Sequence, residues 1–207
     1  MSLYVSPQNP RPVLERSATW LDATRGRSLA VRIFRPTGTV GRRPLVAFSP
    51  GLGASCDQYL YLLRYWAARG YVCVSVTHPG TDCALWRGRQ RPWPTMAGAL
   101  DDPVHRVDRP RDLAFVLDRV AADATLRPLV DFERQAVAGH SYGAFTALAL
   151  AGLRYDGPDG PEHAVDGRVR CVVVMSPQGP GQFGQHAHSW DDVRVPVMSL
   201  TGTQDRA

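Results

Sequence analysis

The chain has 207 residues, of which 44% are hydrophobic and 21% charged, a balance that is ordinary for a soluble globular protein with a sizeable core. Its formal charge of +5 is carried entirely by arginine, because all 24 basic residues are Arg. The arginines are scattered, and short clusters such as residues 87–91 are interleaved with Pro and Trp, so the charge predicts no nucleic-acid-binding stripe. No stretch approaches the roughly 18 apolar residues of a membrane-spanning helix.

The N-terminus predicts a cytoplasmic location, and the cysteine spacing argues against a zinc site and a redox motif. Residues 1–16 form a predicted irregular lead-in with three prolines and no apolar signal-peptide region, which favours the cytoplasm. The four cysteines show no C-x-x-C spacing, so we expect neither a zinc site nor a redox motif, and no cofactor. Cys73 and Cys171 lie in apolar runs and are predicted to pack in the core. Cys56 and Cys83 lie in loops, where a disulfide between them stays open.

Strands and helices alternate along most of the chain. Residues 17–24 and 29–35 predict two strands of a hairpin, since residues 25–28 between them suit a turn. Further strands are predicted at 44–49, 71–76, 136–138, 170–175 and 195–200, and helices at 56–69, 110–122 and 144–150. Short apolar strands that alternate with helices are typical of a mostly parallel sheet covered on both faces. We therefore predict one α/β domain over residues 1–207, with the hairpin adding antiparallel strands at one edge.

Two stretches lack a clear period. Residues 79–108 are rich in Pro, Gly, Arg and Trp and predict a long loop that flanks the functional site, because such loops in compact domains are usually functional or mobile. Residues 154–168 predict a shorter Gly/Pro/Asp loop. Pro110 is predicted to occupy the first turn of the helix that follows the long loop.

A predicted strand, a tight turn and a helix meet at residues 139–143, whose sequence Gly-His-Ser-Tyr-Gly matches G-x-S-x-G. In this pattern the serine hydroxyl is exposed on a strained turn, and the two glycines leave no Cβ to crowd its backbone. The apolar strand before it and the small-residue helix after it are the context that supports the pattern. Ser141 is therefore the predicted nucleophile. The alternative is a glycine-rich turn with an incidental serine.

Acyl transfer by a serine also requires hydrogen-bond donors for the developing oxyanion. One donor comes with the motif, the backbone N–H of Tyr142. The second is predicted to be the N–H of Leu52, because residues 50–53 (Pro-Gly-Leu-Gly) follow the first central parallel strand. The alternative for residues 50–53 is a plain glycine turn.

Four motifs occur in the chain order of an α/β-hydrolase. They are Ser-Pro-Gly-Leu-Gly at 49–53, Thr-His-Pro-Gly at 77–80, Gly-His-Ser-Tyr-Gly at 139–143 and Thr-Gly-Thr-Gln-Asp at 201–205. Over residues 17–205 the sequence resembles the branch that contains platelet-activating-factor acetylhydrolase-like, dienelactone-hydrolase-like and cutinase-like serine esterases. The resemblance implies an α/β-hydrolase fold with the order Ser, acid, His. It points to Asp205 as the acid, since residues 176–179 end the preceding strand without a carboxylate.

The resemblance places the catalytic base after one more strand, yet no histidine follows Asp205 in the sequence. We therefore expect the sequence to be a piece of a longer chain, whose last strand and helix would carry the base and cover an apolar edge strand. His78, at the end of a strand, is a minority candidate for the base. His186 and His188 lie in a loop on the same side of the sheet, and no third ligand suggests a metal site. His140 is expected to point away from the nucleophile and to pack in the core.

These residues together predict a serine hydrolase that cleaves small carboxylic esters through an acyl-enzyme, with no cofactor or metal. His78, Trp86 and Gln178 are the predicted pocket residues. Aromatic side chains near the site favour an apolar acyl or alcohol group, or equally serve to pack the loops. Two alternatives stay open: a non-catalytic binding protein on the same fold, and another acyl-transfer activity such as that of a thioesterase, peptidase or acyltransferase. The sequence predicts no oligomeric state.

Overall fold

The computed structural model describes residues 10–38, 41–203 and 205. Its strands are β1 (Val13–Asp22), β2 (Arg27–Pro36), β3 (Arg43–Ser49), β4 (Val72–Val76), β5 (Val130–His140), β6 (Arg154–Gly157), β7 (Gly160–His163), β8 (Val169–Met175) and β9 (Val197–Leu200). Its α-helices are α1 (Leu60–Ala68), α2 (Trp93–Asp101), α3 (Val104–Ala122) and α4 (Tyr142–Leu150), and short 3-10 turns lie at Cys83–Leu85 and Arg127–Leu129.

Seven strands form the central sheet in the order β1-β2-β4-β3-β5-β8-β9. The pairs from β4 through β3, β5 and β8 to β9 are all parallel, whereas β1 pairs with β2, and β2 with β4, in antiparallel fashion. Parallel strands are buried on both faces, which explains why β4 is buried at every position. The mostly parallel sheet with an N-terminal antiparallel hairpin confirms the predicted α/β-hydrolase fold.

Helices cover both faces of the sheet, and the side chains of β3 show which helix lies on which face. Leu45 and Ala47 belong to the larger core cluster, which contains the apolar residues of α3 and α4. Val46 and Phe48, which alternate with them, pack in a smaller cluster with Leu63 of α1. Successive side chains of a strand point to opposite faces, so α1 covers one face and α3 and α4 cover the other.

Helix α4 is buried at all nine of its positions, from Tyr142 to Leu150. A helix that is apolar on every side belongs in the interior rather than at the surface. Its N-terminus begins where β5 ends, so the turn between them is held by core packing on both sides. Among the described residues, no helix is both long and apolar enough to cross a membrane.

The predicted loop at 79–108 is wrong, because it contains the whole of α2 and the start of α3. The prolines that suggested a loop lie instead at helix N-termini: Pro92 and Pro103 precede the first residues of α2 and α3, and Pro94 lies in the first turn of α2. Proline has no backbone N–H, and it is tolerated in the first helical turn because the N–H groups there have no acceptor within the helix. Pro110 was predicted in a first turn but lies well inside α3.

Other elements also differ from the predictions, among them β5, which starts at Val130, six residues earlier than predicted. Strand β1 starts at Val13, inside the predicted lead-in, of which residues 1–9 lie outside the described part of the chain. Helix α1 begins only at Leu60, four residues later than predicted. The predicted loop at 154–168 contains the antiparallel hairpin of β6 and β7. All four cysteines are free, including Cys56 and Cys83.

Candidate active site

Ser141 lies on a strained turn between β5 and α4, with φ 53° and ψ −120°. A non-glycine residue adopts this region only where surrounding structure enforces it, and such strain concentrates at functional sites. Here the backbone N–H of Ser141 donates to the carbonyl of Met175 at 2.9 Å, which ties the turn to the end of β8. The turn therefore presents the serine at the carboxyl edge of the parallel strands.

The two glycines of the motif allow the backbone to close around the serine. A Cβ on Gly139 would fall inside van der Waals contact with the carbonyl of Gly143, and a Cβ on Gly143 would overlap the carbonyl of Ser49. Any larger residue at either position would push α4 away from β3 and β5. The steric role that the sequence suggested for these glycines is thus visible in the structure.

Asp205 lies in the turn after β9 and is held by three hydrogen bonds to one oxygen. Its Oδ2 accepts from the backbone N–H of Gly202 at 2.9 Å and from the hydroxyls of Ser176 at 2.7 Å and Thr201 at 2.8 Å. The Gly202 N–H first, and then the two hydroxyls, hold the pKa of Asp205 below its ordinary value. Its Oδ1 accepts no hydrogen bond from any described residue, so a charged carboxylate oxygen is open to a donor.

Ser141 and Asp205 line the same cavity, whose volume is about 500 Å³. The cavity is bordered by residues from the ends of β5, β8 and β9 and from the loop after β8: His140, Ser141, Ser176, Pro177, Gln178, Gln182, Thr201 and Asp205. Gln178, one of the predicted pocket residues, donates from Nε2 to the Ser141 hydroxyl at 3.3 Å. The fold thus brings together residues 64 positions apart around one solvent-accessible space.

The two predicted oxyanion donors carry unused N–H groups. Tyr142 is the first residue of α4, where a backbone N–H has no intrahelical acceptor. Leu52 lies in the loop after β3, which is fixed by hydrogen bonds from Gly53 to Thr81 at 2.8 Å and from Ala54 to Gly51 at 3.3 Å. Within the described ranges, neither the N–H of Leu52 nor that of Tyr142 donates to another protein group.

The loop that carries Leu52 packs directly against the nucleophile turn. A Cβ built on Gly51 would lie 3.5 Å from Cβ of Ser141 and 3.4 Å from the carbonyl of His140. Trp86 donates from Nε1 to the carbonyl of Gly53 at 2.6 Å, so it holds this loop from the other side. Trp86, a predicted pocket residue, contacts the loop and is not among the residues that line the cavity.

His78 was predicted to line the pocket, and this prediction is wrong. Its side chain is 1% exposed and packs against α3, where its partner is the buried Asp112. Nδ1 lies 3.0 Å from Oδ2 of Asp112, and Nε2 lies 2.9 Å from Oγ of Ser49. Because a carboxylate only accepts, Nδ1 carries the proton, and Nε2 accepts from the hydroxyl of Ser49.

Burial is the main cause of the low pKa of His78, about 4, and the nearby Arg109 adds to it, while Asp112 partly opposes both. Burial by itself raises the pKa of Asp112, but hydrogen bonds from His78 and Arg27 outweigh burial and hold it well below its ordinary value. His78 is therefore neutral and Asp112 charged at neutral pH. The Ser49–His78–Asp112 cluster has the connectivity of a catalytic triad, but all three side chains are buried and none lines the cavity of Ser141.

His140 lines the cavity instead of packing in the core, so that expectation was wrong. Its ring lies 5.3 Å from the ring of Tyr59, and burial lowers its pKa, with Asp205 partly opposing. The loop histidines bond to surface carboxylates: His186 to Asp156 at 2.9 Å and His188 to Asp191 at 3.2 Å. No histidine in the described part of the chain hydrogen-bonds to Ser141 or Asp205. Nor do those residues contain a group of three His, Cys, Asp or Glu that suits a metal ion.

The aromatic side chains near the site mainly pack the loops. Phe183 stacks on Tyr142 with 4.3 Å between ring centroids and an angle of 7°. Trp190 packs partly buried against the core, whereas Trp93 is 68% exposed. Of the two roles considered for these residues, the structure shows the packing role for Phe183 and Trp190.

Arg109, behind the site, and Ser176 and Thr201, which hold Asp205, were not revealed by the sequence. The guanidinium of Arg109 is buried behind the loop of Leu52 and donates to Ser49 Oγ at 3.1 Å and to the carbonyl of Pro50. Burial lowers its pKa to about 10, so it stays charged at neutral pH. No motif marks this position, because its partners lie 28 to 60 residues away in the sequence.

Comparison with known proteins relates the chain to others by fold. No protein-family model and no curated protein sequence matches it. Among solved structures, the protein m3DLH has a TM-score of 0.66 at 20% identity, over 93% of this chain and 70% of its own. A ferulic acid esterase from Streptomyces cinnamoneus has a TM-score of 0.65 at 20% identity, over 94% and 74% of the two chains.

A hypothetical protein from Pseudomonas aeruginosa is also similar, with a TM-score of 0.56 at 21% identity over 84% of this chain. The chain spans 45% of the length of that protein, less than half. At these identities the similarity establishes the shared fold.

Proposed function

We propose that this protein is a serine hydrolase that cleaves carboxylic esters through an acyl-enzyme on Ser141. The proposal is carried by one observation: the strained Ser141 and the hydrogen-bonded carboxylate of Asp205 face the same cavity of about 500 Å³. The ferulic acid esterase with the same fold supports ester cleavage as the reaction class. The polar groups that border the cavity suit a small-molecule ester.

In the proposed reaction, a base removes the proton from Ser141 as Oγ attacks the ester carbonyl carbon. The C=O electron pair moves onto oxygen, and the N–H groups of Leu52 and Tyr142 stabilise that negative charge. Collapse of the intermediate breaks the C–O bond, and the alcohol leaves with the proton. Water then adds to the acyl-enzyme in the same way and releases the carboxylic acid and Ser141.

The base in this scheme is an imidazole bound to Asp205. Oδ2 of Asp205 is engaged by three donors, whereas Oδ1 faces no described donor, so Oδ1 is the proposed acceptor for the imidazole N–H. A carboxylate in this position orients the ring and stabilises the imidazolium that forms. No described histidine hydrogen-bonds to Ser141 or Asp205, so the test of this scheme supplies the imidazole in solution.

The nucleophile is tested with a fluorophosphonate probe, with and without free imidazole at millimolar concentration. We expect labelling at Ser141, faster with imidazole, and none in Ser141→Ala. Ser17→Ala is the matched control, because Ser17 lies on the exposed hairpin and only accepts a hydrogen bond from Arg32. Labelling that persists in Ser141→Ala would disprove the assignment.

Another acyl-transfer activity on the same nucleophile, that of a thioesterase, peptidase or acyltransferase, is separated by substrates. Comparison of p-nitrophenyl esters with thioesters and peptides of matched acyl groups distinguishes them, and we expect the esters to react fastest. A non-catalytic binding protein is favoured only by the lack of a described histidine at Asp205. That alternative predicts no probe labelling at any imidazole concentration.

A further inference from the structure

The buried guanidinium of Arg109 contacts the segments that carry both proposed oxyanion donors, Leu52 and Tyr142. It is 1% exposed and donates from Nη2 to the carbonyl of Pro50, which begins the loop of Leu52. Its Cζ also lies 4.5 Å from the ring centroid of Tyr142, the residue that would provide the other N–H. One buried side chain thus touches the supports of both donors.

The remaining donors of Arg109 join it to three further parts of the site. Nε donates to Thr146 of α4 at 3.1 Å, Nη1 to Thr81 after β4 at 2.7 Å, and Nη2 also to Ser49 at the end of β3 at 3.1 Å. All of these acceptors are hydroxyls. Among the described residues, no carboxylate forms an ion pair with this buried cation.

A buried cation of this kind contributes little to the stability of the folded state. The nearby carboxylate of Asp112 connects to Arg109 only through Ser49 and His78. Burial of an ion without a directly paired counter-ion costs free energy that hydrogen bonds only partly offset, and apolar residues often replace buried ions without loss of stability. A fixed cation behind a site where negative charge develops has a chemical use instead. The planar guanidinium also fixes directions, since its donors form a rigid fork.

We propose that Arg109 is a positioning residue of the oxyanion hole, an inference that rests on the proposed function. The Pro50 carbonyl and the Gly51 N–H belong to one planar peptide, so a bond to that carbonyl fixes the start of the Leu52 loop. The contact with the Tyr142 ring fixes the first residue of α4. Arg109 touches no substrate and acts through Pro50 and Tyr142.

The test compares Arg109→Met, which keeps much of the apolar volume, with Arg109→Lys and with Arg168→Met. Arg168 is the matched control, because it bonds to Asp118 and Asp166 away from the site. Two quantities are measured below the melting temperature of every variant. They are the amide hydrogen exchange of peptides that cover residues 50–53 and 139–145, and the rate of fluorophosphonate labelling at Ser141 with added imidazole.

In Arg109→Met we expect faster exchange in both peptides and labelling slower by about 10- to 100-fold, less than for loss of a complete oxyanion donor. Arg109→Lys should recover part of the labelling, since an ammonium can reach Pro50 but cannot hold all the acceptors. Arg168→Met should change neither quantity.

A folded Arg109→Met protein whose Ser141 is labelled at a rate within about twofold of the wild-type rate contradicts the proposal. An oxyanion hole without its positioning residue should lower that rate by much more than twofold. If Arg109→Met does not fold, the Arg109→Lys variant provides the test. The proposal is overturned if that variant has both the amide hydrogen exchange and the labelling rate of the wild type. If wild-type Ser141 is not labelled at all, the proposed hydrolase function fails instead. The exchange measurement then still decides whether Arg109 positions the loop, and unchanged exchange in residues 50–53 rejects it.

Discussion

Asp112 accepts a hydrogen bond from Nδ1 of His78 at 3.0 Å, in the interior between α3 and the end of β4. Arg27 from the start of β2 donates to both oxygens of the same carboxylate at 2.9 Å. His78 in turn accepts from Ser49, which is also bonded to Arg109. The cluster therefore connects the N-terminal hairpin to the loop that carries the proposed oxyanion donor.

This cluster makes stability depend on pH. His78 has a pKa of about 4 in the folded protein, against about 6.5 in an unfolded chain. Between these values the unfolded state binds more protons, so the free energy of unfolding falls as pH drops from about 6.5 to 4. The loss approaches about 3 kcal/mol for this single group. Urea denaturation at several pH values across this window measures it.

His78→Asn isolates this contribution, because the amide can still donate to Asp112 but does not titrate. We expect a less stable protein at pH 7 with a flatter stability profile between pH 6.5 and 4. The control is His188→Asn, which removes an exposed histidine 86% accessible to solvent and should keep the wild-type profile. An unchanged slope in His78→Asn would show that other groups cause the pH dependence.

Two glycine-to-alanine substitutions should have opposite effects on stability. In Gly143→Ala the new Cβ would overlap the carbonyl of Ser49, so we expect a loss of several kcal/mol, about 2–4, and loss of probe labelling. In Gly98→Ala, inside α2, the new Cβ meets no atom within 4 Å. That change should raise stability by about 0.5–1 kcal/mol, because alanine loses less backbone entropy in a helix.

Thermal or urea denaturation of the two variants beside the wild type measures the contrast. Both substitutions add the same methyl group, so the difference between them reports the local geometry alone. A Gly143→Ala protein with wild-type stability and labelling would mean that the close approach of α4 to β3 is not required.

Asp205→Asn should slow imidazole-dependent labelling of Ser141 by at least about tenfold, because a neutral amide stabilises an imidazolium poorly. The amide oxygen can still accept from Ser176 and Thr201, so the turn should keep its shape. Asp191→Asn is the control, since Asp191 bonds only to the exposed His188. Equal rates in wild type and Asp205→Asn would remove Asp205 from the proposed catalytic residues.

The sequence predicted the parts of the site that depend on local structure. The nucleophile turn was recognisable because its glycines, its strand and its helix are neighbours of Ser141. The central parallel strands were recognisable as apolar runs. The burial of His78 was not recognisable, because it depends on a contact with Asp112 of α3, 34 positions away in the sequence. Arg109 was missed because its contacts reach up to 60 positions along the chain.

Trp86→Phe tests whether the loop of Leu52 depends on its side-chain hydrogen bond. The phenyl ring keeps much of the packing on Gly53, whereas the bond from Nε1 to the Gly53 carbonyl at 2.6 Å is lost. A net hydrogen bond contributes about 1 kcal/mol, so a loop that depends on it should label Ser141 about fivefold more slowly. Trp93→Phe is the control, because Trp93 is 68% exposed. Equal labelling rates in the two variants would show that Trp86 covers the loop without fixing it.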